Sequence, residues 1–193
     1  DEAMTFIQEV KNKPFFCYLA TYSPHTPLDA PEEFIKPFRE AGLNDTHATY
    51  LAMIENIDFN IGRLMKFLKS TNKDQDTIVI MINDNGVTEG LDVYNANMRG
   101  PKCSAWEGGT RAFSFWRWPG KWKHKVVDNL TAHLDVLPTL CELAEATIPD
   151  DLKENLEGYS LAPILQAKGT TKEWVRVECG KDLGKDLEKA MGR

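Results

Sequence analysis

The spacing of apolar residues predicts one long helix near the middle of the chain. Between Thr46 and Ser70, apolar side chains recur every three or four residues, at positions 50, 54, 57, 61, 64, 65 and 68. This spacing places them on one face of a helix of about six turns. Shorter helices are predicted for Met4 to Lys11 and for Asp135 to Ala144, with at most short helical pieces around Glu32 to Arg39.

Continuous apolar runs predict three strands. Phe15 to Ala20 and Thr77 to Ile82 are short and rich in aromatic or β-branched residues, which favours buried strands, and Ala112 to Trp118 is a third candidate. The run from Thr77 is apolar on both faces, as expected of a central parallel strand covered by helices. Strands and helices alternate without a repeat or a linker, so the predicted fold class is α/β, with a mainly parallel sheet and helices on both faces.

Two segments without a hydrophobic period are predicted to be loops. Thr21 to Asp45 has prolines at positions 24, 27, 31 and 37, and Asn83 to Gly109 contains five glycines. Long loops of this kind in a compact domain often carry function.

Composition excludes several classes of protein. With 193 residues, 42% of them hydrophobic, the chain is typical of a globular domain rather than a disordered one. The net charge is −6 and the basic residues are scattered, which argues against nucleic acid as a partner. No apolar run approaches the roughly 20 residues of a membrane span. The chain begins at Asp1 without an initiator Met, so we expect it to be a piece of a longer protein.

The first candidate site is Asp84-Asn85-Gly86, directly after the predicted strand Thr77 to Ile82. Open α/β sheets bind ligands at the carboxyl ends of their strands, and carboxylate and amide oxygens suit a hard cation such as Ca²⁺ or Mg²⁺. Asx-Gly sequences are also common in plain turns, and on position alone the turn is the more frequent explanation.

Two further candidates carry positive or titratable groups. His25 lies between Pro24 and Pro27, where it could donate to an anion or act as an acid or base, although a single loop histidine is usually structural. Lys102 lies in a loop that ends in Gly108-Gly109, and its point charge could neutralise a sulfate or phosphate oxygen. A loop lysine is usually a solvated charge, so a functional role for Lys102 is supported only in combination with the other candidate residues.

Two other features are assigned to structure. His133 and Asp135 are two residues apart and do not face each other on a helix, so Asp135 is interpreted as a helix N-cap. Cys103 has no adjacent activating base and is interpreted as a small buried or loop residue.

Taken in order, the segments of this chain resemble the sulfatase family of the alkaline-phosphatase-like superfamily, from about residue 5 to residue 166. The resemblance is carried by Lys13-Pro14-Phe15-Phe16, Ser23-Pro24-His25-Thr26-Pro27, Glu55-Asn56-Ile57-Asp58, Asn83-Asp84-Asn85-Gly86, Gly100-Pro101-Lys102, Glu107-Gly108-Gly109-Thr110-Arg111, Arg117-Trp118-Pro119-Gly120, His133 to Leu140, and Leu156-Glu157-Gly158-Tyr159-Ser160-Leu161. It implies that residues 1–167 are the C-terminal portion of a sulfatase catalytic domain, followed by a charged tail or the start of the next subdomain at 168–193.

The resemblance also implies roles for four residues. Asp84 and Asn85 would complete a divalent-metal site, usually Ca²⁺, while His25 and Lys102 would contact the sulfate ester and stabilise the charge that builds as the S–O bond breaks. The family makes its formylglycine nucleophile from a Cys/Ser-x-Pro/Ala-x-Arg motif, which this chain lacks. The nearest fragment, Cys103 to Glu107, ends in Glu instead of Arg.

The leading hypothesis is therefore a sulfuric ester hydrolase of which this chain supplies the metal- and sulfate-binding residues, inactive by itself. Its expected partners are a sulfated glycan or aryl sulfate and the missing N-terminal half of the domain. The alternatives are a phosphodiesterase or phosphonate hydrolase of the same superfamily, and a truncated domain that binds metal or an anionic sugar without catalysis. The family is mostly periplasmic, secreted or lysosomal, so an exported protein is expected.

Overall fold

A computed structural model describes residues 1–166, which form two compact units, one from Asp1 to Pro119 and one beginning at Gly120. The predicted tail at 168–193 lies outside the described residues. The first unit contains α1 (Glu2–Glu9), α2 (Glu32–Glu40), α3 (Asp45–Ser70), β1 (Val79–Ile82), α4 (Glu107–Thr110) and β2 (Ser114–Arg117). The second contains α5 (Val136–Leu143), α6 (Asp150–Lys153) and α7 (Ala162–Leu165), and 3₁₀ turns occur at Asp74–Asp76 and His133–Asp135.

The long helix predicted from the apolar stripe is confirmed as α3. It begins where the Asn44 side chain accepts a hydrogen bond from the backbone N–H of His47 at 2.9 Å, which satisfies one of the free donors of the first turn. Ala48 and Ala52 are fully buried, and together with Ile35 of α2 they form a small core. Because alanines let the two helices approach closely, α2 and α3 pack directly against each other.

The sheet of the described residues differs from the predicted one. β1 pairs antiparallel with β2, with Val79 opposite Arg117 and Ile82 opposite Ser114, and residues 1–166 contain no parallel pair. All four residues of β1 are half-buried. An apolar run on both faces indicates contacts on both faces, but it carries no information about the direction of the neighbouring strand.

The prediction of a strand at Phe15 to Ala20 is wrong, because this segment belongs to neither strand of the described sheet. Phe16 and Tyr18 are 72% and 82% exposed. Apolar composition indicates that a segment suits a buried strand, but only a neighbouring strand with free hydrogen-bonding groups makes it one.

The remaining predicted elements are found close to their expected places. The helix near the N-terminus is confirmed as α1, and the third predicted strand is β2. Where at most short helical pieces were expected around Glu32 to Arg39, the structure has one continuous helix, α2, of nine residues. The helix predicted from Asp135 begins one residue later, so Pro138 lies in its first turn, where a missing N–H costs little. Among the described residues, none of the helices is both long and apolar enough to cross a bilayer.

Candidate functional site

The Asp84-Asn85 pair is placed by the end of β1. The backbone N–H of Asn83 donates to the carbonyl of Phe113 at 3.1 Å, which continues the β1–β2 pairing by one residue. The Asn83 side chain then donates to the carbonyl of Asn85 and turns the chain away from the strand. As a result, Asp84 is exposed and Asn85 is half-buried immediately beyond the strand.

The lysine loop lies against this turn. The backbone N–H of Lys102 donates to the carbonyl of Val87 at 2.9 Å, and that of Gly86 donates to Gly109 at 3.0 Å. These two hydrogen bonds join the segment after Asp84 and Asn85 to both the lysine and the double glycine. The structure therefore brings together two of the three candidate segments.

Glycine is required at the contact between these segments. A Cβ atom on Gly86 would lie 1.7 Å from the carbonyl oxygen of Gly108, and one on Gly108 would lie 1.9 Å from the carbonyl oxygen of Gly100. Both distances are far inside van der Waals contact, so the backbones can approach only where no side chain intervenes. Gly100 also has φ +83°, a conformation that favours glycine.

His25 is held within its own loop. Its Nδ1 lies 2.9 Å from the carbonyl of Thr26, its backbone N–H donates to Tyr22, and its ring centroid is 5.8 Å from that of Tyr22. In the tautomer that carries a proton on Nδ1, this N–H donates to the Thr26 carbonyl and Nε2 is left as the acceptor of the ring. Within residues 1–166, these hydrogen bonds of His25 do not connect it to Lys102 or Asp84, so its place in a common site remains a prediction.

The side chains of Asp84 and Asn85 offer the right type of ligand for a hard cation, but too few ligands to complete a site. A carboxylate and an amide oxygen are ligands that Ca²⁺ accepts, but Ca²⁺ takes six to eight oxygens. Within residues 1–166, no three His, Cys, Asp or Glu side chains cluster closely enough to hold a metal ion. The residues present therefore fit a part of a calcium site that needs further ligands.

Helix α3 supports the segment after Asn85 through Tyr50 and His47. Tyr50, assigned only to the apolar stripe, is 6% exposed and is hydrogen-bonded to Thr88. Burial raises the pKa of Tyr50, and the hydrogen bonding with Thr88 partly opposes the rise. One turn earlier, Nε2 of His47 lies 3.7 Å from a carboxylate oxygen of Asp92.

In the second unit, Asp135 lies at the N-cap position of α5, as predicted, but its side chain is used elsewhere. Its side chain makes no cap hydrogen bond to α5. One carboxylate oxygen accepts from the backbone N–H of Ala132 and the other from that of Tyr159, both at 2.8 Å. Thr139 adds a second tie, since its hydroxyl donates to the carbonyl of Asp135 and accepts from the N–H of Leu161 at 2.8 Å.

These bonds explain why Asp135 tolerates complete burial, because each carboxylate oxygen has a backbone donor. They attach the start of α5 to the chain at 159–161, and the sequence could not reveal this since the partners are more than twenty residues away. Cys103 is an exposed loop residue with φ +67°, which agrees with the loop alternative.

Comparison with known proteins identifies the family. The sulfatase family model matches residues 1–146, and the chain belongs to this family, whose fold is alkaline-phosphatase-like. It is 35% identical over 173 residues to the uncharacterized sulfatase YdeN of Escherichia coli, covering 87% of this chain and 30% of that protein. It is 29% identical over 176 residues to human steryl-sulfatase, covering 86% and 29%.

Among solved structures, the chain is similar to Ps i-CgsB in complex with k-i-k-neocarrahexaose. The TM-score is 0.72 at 32% identity, covering 84% of this chain and 36% of that one. The chain thus spans about 30% of the length of the two curated relatives.

Proposed function

We propose that this chain forms part of a sulfuric ester hydrolase and supplies it with sulfate- and metal-binding residues. The observation that carries the proposal is the pair of hydrogen bonds that hold the Lys102 loop against the turn after Asp84 and Asn85. A cationic side chain and two oxygen ligands are thereby held on adjacent segments, in a chain that belongs to the sulfatase family.

Lys102 is the residue that we assign to the sulfate group. Its ammonium group would offset the negative charge of the ester in the bound state and the charge that develops on the oxygens during S–O cleavage. His25, with Nδ1 directed to Thr26, would present Nε2 to the ester and, when protonated, donate from that atom. The geometry of His25 relative to Lys102 is part of the proposal.

Asp84 and Asn85 would hold the cation, for which Ca²⁺ is proposed. A divalent cation held by these residues would supply Lewis-acid polarisation of an ester oxygen and additional positive charge at the site. The exposed Asp84 carboxylate supplies the anionic ligand and Asn85 a neutral one. The formylglycine nucleophile is proposed to come from a part of the protein outside this chain.

The partner that we propose for this chain is the N-terminal part of a sulfatase domain. The exposure of Phe16 and Tyr18 supports it, since monomeric proteins rarely leave several large aromatic side chains of one segment in water. Half-burial of all four β1 residues supports it as well, because the sequence of this strand suits complete burial.

The proposed substrate is a sulfated glycan or an aryl sulfate. The structure of Ps i-CgsB contains an oligosaccharide, and another similar human protein is named arylsulfatase D, so both proposed substrate classes have support among similar proteins. An exported location is proposed on the family resemblance alone.

The test is hydrolysis of p-nitrophenyl sulfate by the chain alone and by the chain combined with an N-terminal sulfatase segment that contains formylglycine. We expect no turnover by the chain alone and turnover by the combination, strongly lowered but still measurable in Lys102→Ala and unchanged in Lys66→Ala, an exposed lysine of α3. Faster hydrolysis of phosphate or phosphonate esters would favour the alternative enzyme class. Binding of a sulfated sugar without turnover in any combination would favour the non-catalytic alternative.

A further inference from the structure

The loop that carries Lys102 is ordered by a side chain that precedes it. The carboxamide Nδ2 of Asn95 donates to the carbonyl of Met98 at 2.8 Å and to that of Gly100 at 3.1 Å. Both acceptors lie within four residues of Lys102. Asn95 thus uses both of its N–H donors on the backbone that leads into the lysine.

The same carboxamide lies next to the double glycine. A Cβ atom on Gly108 would be 2.8 Å from Nδ2 of Asn95, and the N–H of Gly108 donates to the carbonyl of Arg99 at 2.8 Å. Asn95 therefore contacts both sides of the loop, the segment that enters Lys102 and the segment that leaves it. Half-burial of Asn95 limits the competition of water for these bonds.

A second contact closes the loop from the other side. The guanidinium carbon of Arg99 lies 3.5 Å from the ring centroid of Trp106, which is a close cation–π contact. The side chain of Ser104 donates to the carbonyl of Pro101 at 2.6 Å. The backbone from residue 99 to residue 106 is consequently held at several points on either side of Lys102.

We propose that Asn95 is a positioning residue for Lys102. By holding the carbonyls of Met98 and Gly100, it fixes the loop in the conformation in which the N–H of Lys102 reaches Val87, and so keeps the lysine against the segment that follows Asn85. The catalytic consequence depends on the proposed function, because it acts through the assigned role of Lys102. The structural consequence does not.

The decisive variant is Asn95→Asp, which keeps the shape of the side chain but removes both donors and places a carboxylate against two carbonyls. In amide hydrogen exchange of the full chain, we expect the N–H groups of Lys102 and Gly108 to exchange about tenfold faster or more, while that of Ala52 in α3 is unchanged. Asn97→Asp, on an exposed residue of the same loop, is the matched control and should leave all three rates unchanged.

The second measurement uses the chain combined with the N-terminal sulfatase segment. Asn95→Asp should lower kcat for p-nitrophenyl sulfate about 10- to 100-fold in the presence of Lys102, and should add almost nothing to Lys102→Ala. A residue that merely stabilised the fold would lower activity by the same factor in both backgrounds, and that result would overturn the proposal.

The exchange measurement separates this inference from the proposed function. If Lys102 and Gly108 keep their protection in Asn95→Asp, the positioning role is refuted whatever the activity. If the combination has no sulfatase activity but protection is lost, the proposed function fails and the structural role of Asn95 stands. If the amide of Ala52 also exchanges faster in Asn95→Asp, the variant has disturbed the fold as a whole. Asn95→Ser, which retains one donor, then replaces it, and we expect faster exchange at Lys102 but not at Ala52.

Discussion

The backbone N–H of Lys102 donates to the carbonyl of Val87, two residues after Asn85, at 2.9 Å. Fourteen residues separate these two positions in the sequence, and the intervening chain forms an excursion closed at its base by this bond. The bond thus keeps the loop of the negatively charged Asp84 next to the loop of the positively charged Lys102. The arrangement depends on the close approach of the backbones at Gly86 and Gly108.

Gly86→Ala should strongly destabilise the first unit. The new methyl group would lie 1.7 Å from the carbonyl oxygen of Gly108, and since both partners are backbone, the loops must separate. A cost of about 1–3 kcal/mol or more is expected for such overpacking. Urea unfolding followed by the circular dichroism of the helices measures it.

Gly62→Ala is the matched control for this substitution. Gly62 lies within α3 and has open space around it, so alanine should raise the free energy of unfolding by up to about 1 kcal/mol through helix propensity. The two glycines should therefore respond with opposite sign. Equal and small effects at both positions would contradict the close approach of residues 86 and 108.

The chain alone should bind Ca²⁺ weakly. Asp84 and Asn85 offer two of the six to eight oxygens that the ion requires, so we expect a Kd above about 1 mM in isothermal titration calorimetry. Addition of the N-terminal sulfatase segment should tighten binding, and Asp84→Asn should remove that gain, whereas Asp58→Asn on the exposed face of α3 should not. Submillimolar binding by the chain alone would show that its own residues complete the site.

The longer helices could be predicted from the sequence, because signals such as the apolar stripe of α3 are local. The four-residue helices α4, α6 and α7 were not predicted, since one turn is too short to show a hydrophobic period. The direction of pairing between β1 and β2 could not, since strand direction depends on the neighbour. Phe15 to Ala20 has the composition of a strand but lacks a partner within the described residues. Tyr50 was counted only as an apolar residue of the α3 stripe, because hydrophobic periodicity does not show that its hydroxyl is hydrogen-bonded to Thr88.

The candidate site was predictable only as a set of separate segments. Asp84 and Lys102 could be proposed from their residue types, and the resemblance to sulfatases grouped them. The contact that joins their loops depends on Gly86 and Gly108, and backbone distances of that kind leave no local pattern. The role of Asn95 could not be predicted either, because the two acceptors of its side chain are backbone carbonyls, which are the same in every residue.

Asp135→Asn should destabilise the second unit. An asparagine of the same shape has one acceptor oxygen, so the N–H of either Ala132 or Tyr159 would face an amide NH₂ group. Leaving a buried donor unpaired costs about 1–3 kcal/mol. The loss should appear in thermal unfolding and should be absent in Asp128→Asn, an exposed position of the same unit. An unchanged midpoint in both variants would show that the buried carboxylate is dispensable.

Tyr50 should make the first unit less stable at high pH. Burial raises its pKa in the folded chain above the unfolded value of about 10, so the folded state keeps the phenol proton when the unfolded state has lost it. The stabilisation linked to the Tyr50 proton is complete below pH 10. It declines as the pH rises above 10 and is lost once the pH has passed the pKa of Tyr50 in the folded chain. Urea unfolding between pH 8 and 11 should show a steeper decline for the native sequence than for Tyr50→Phe. Tyr18→Phe, at a residue that is 82% exposed, should retain the native slope, and a native slope in Tyr50→Phe as well would locate the titration elsewhere.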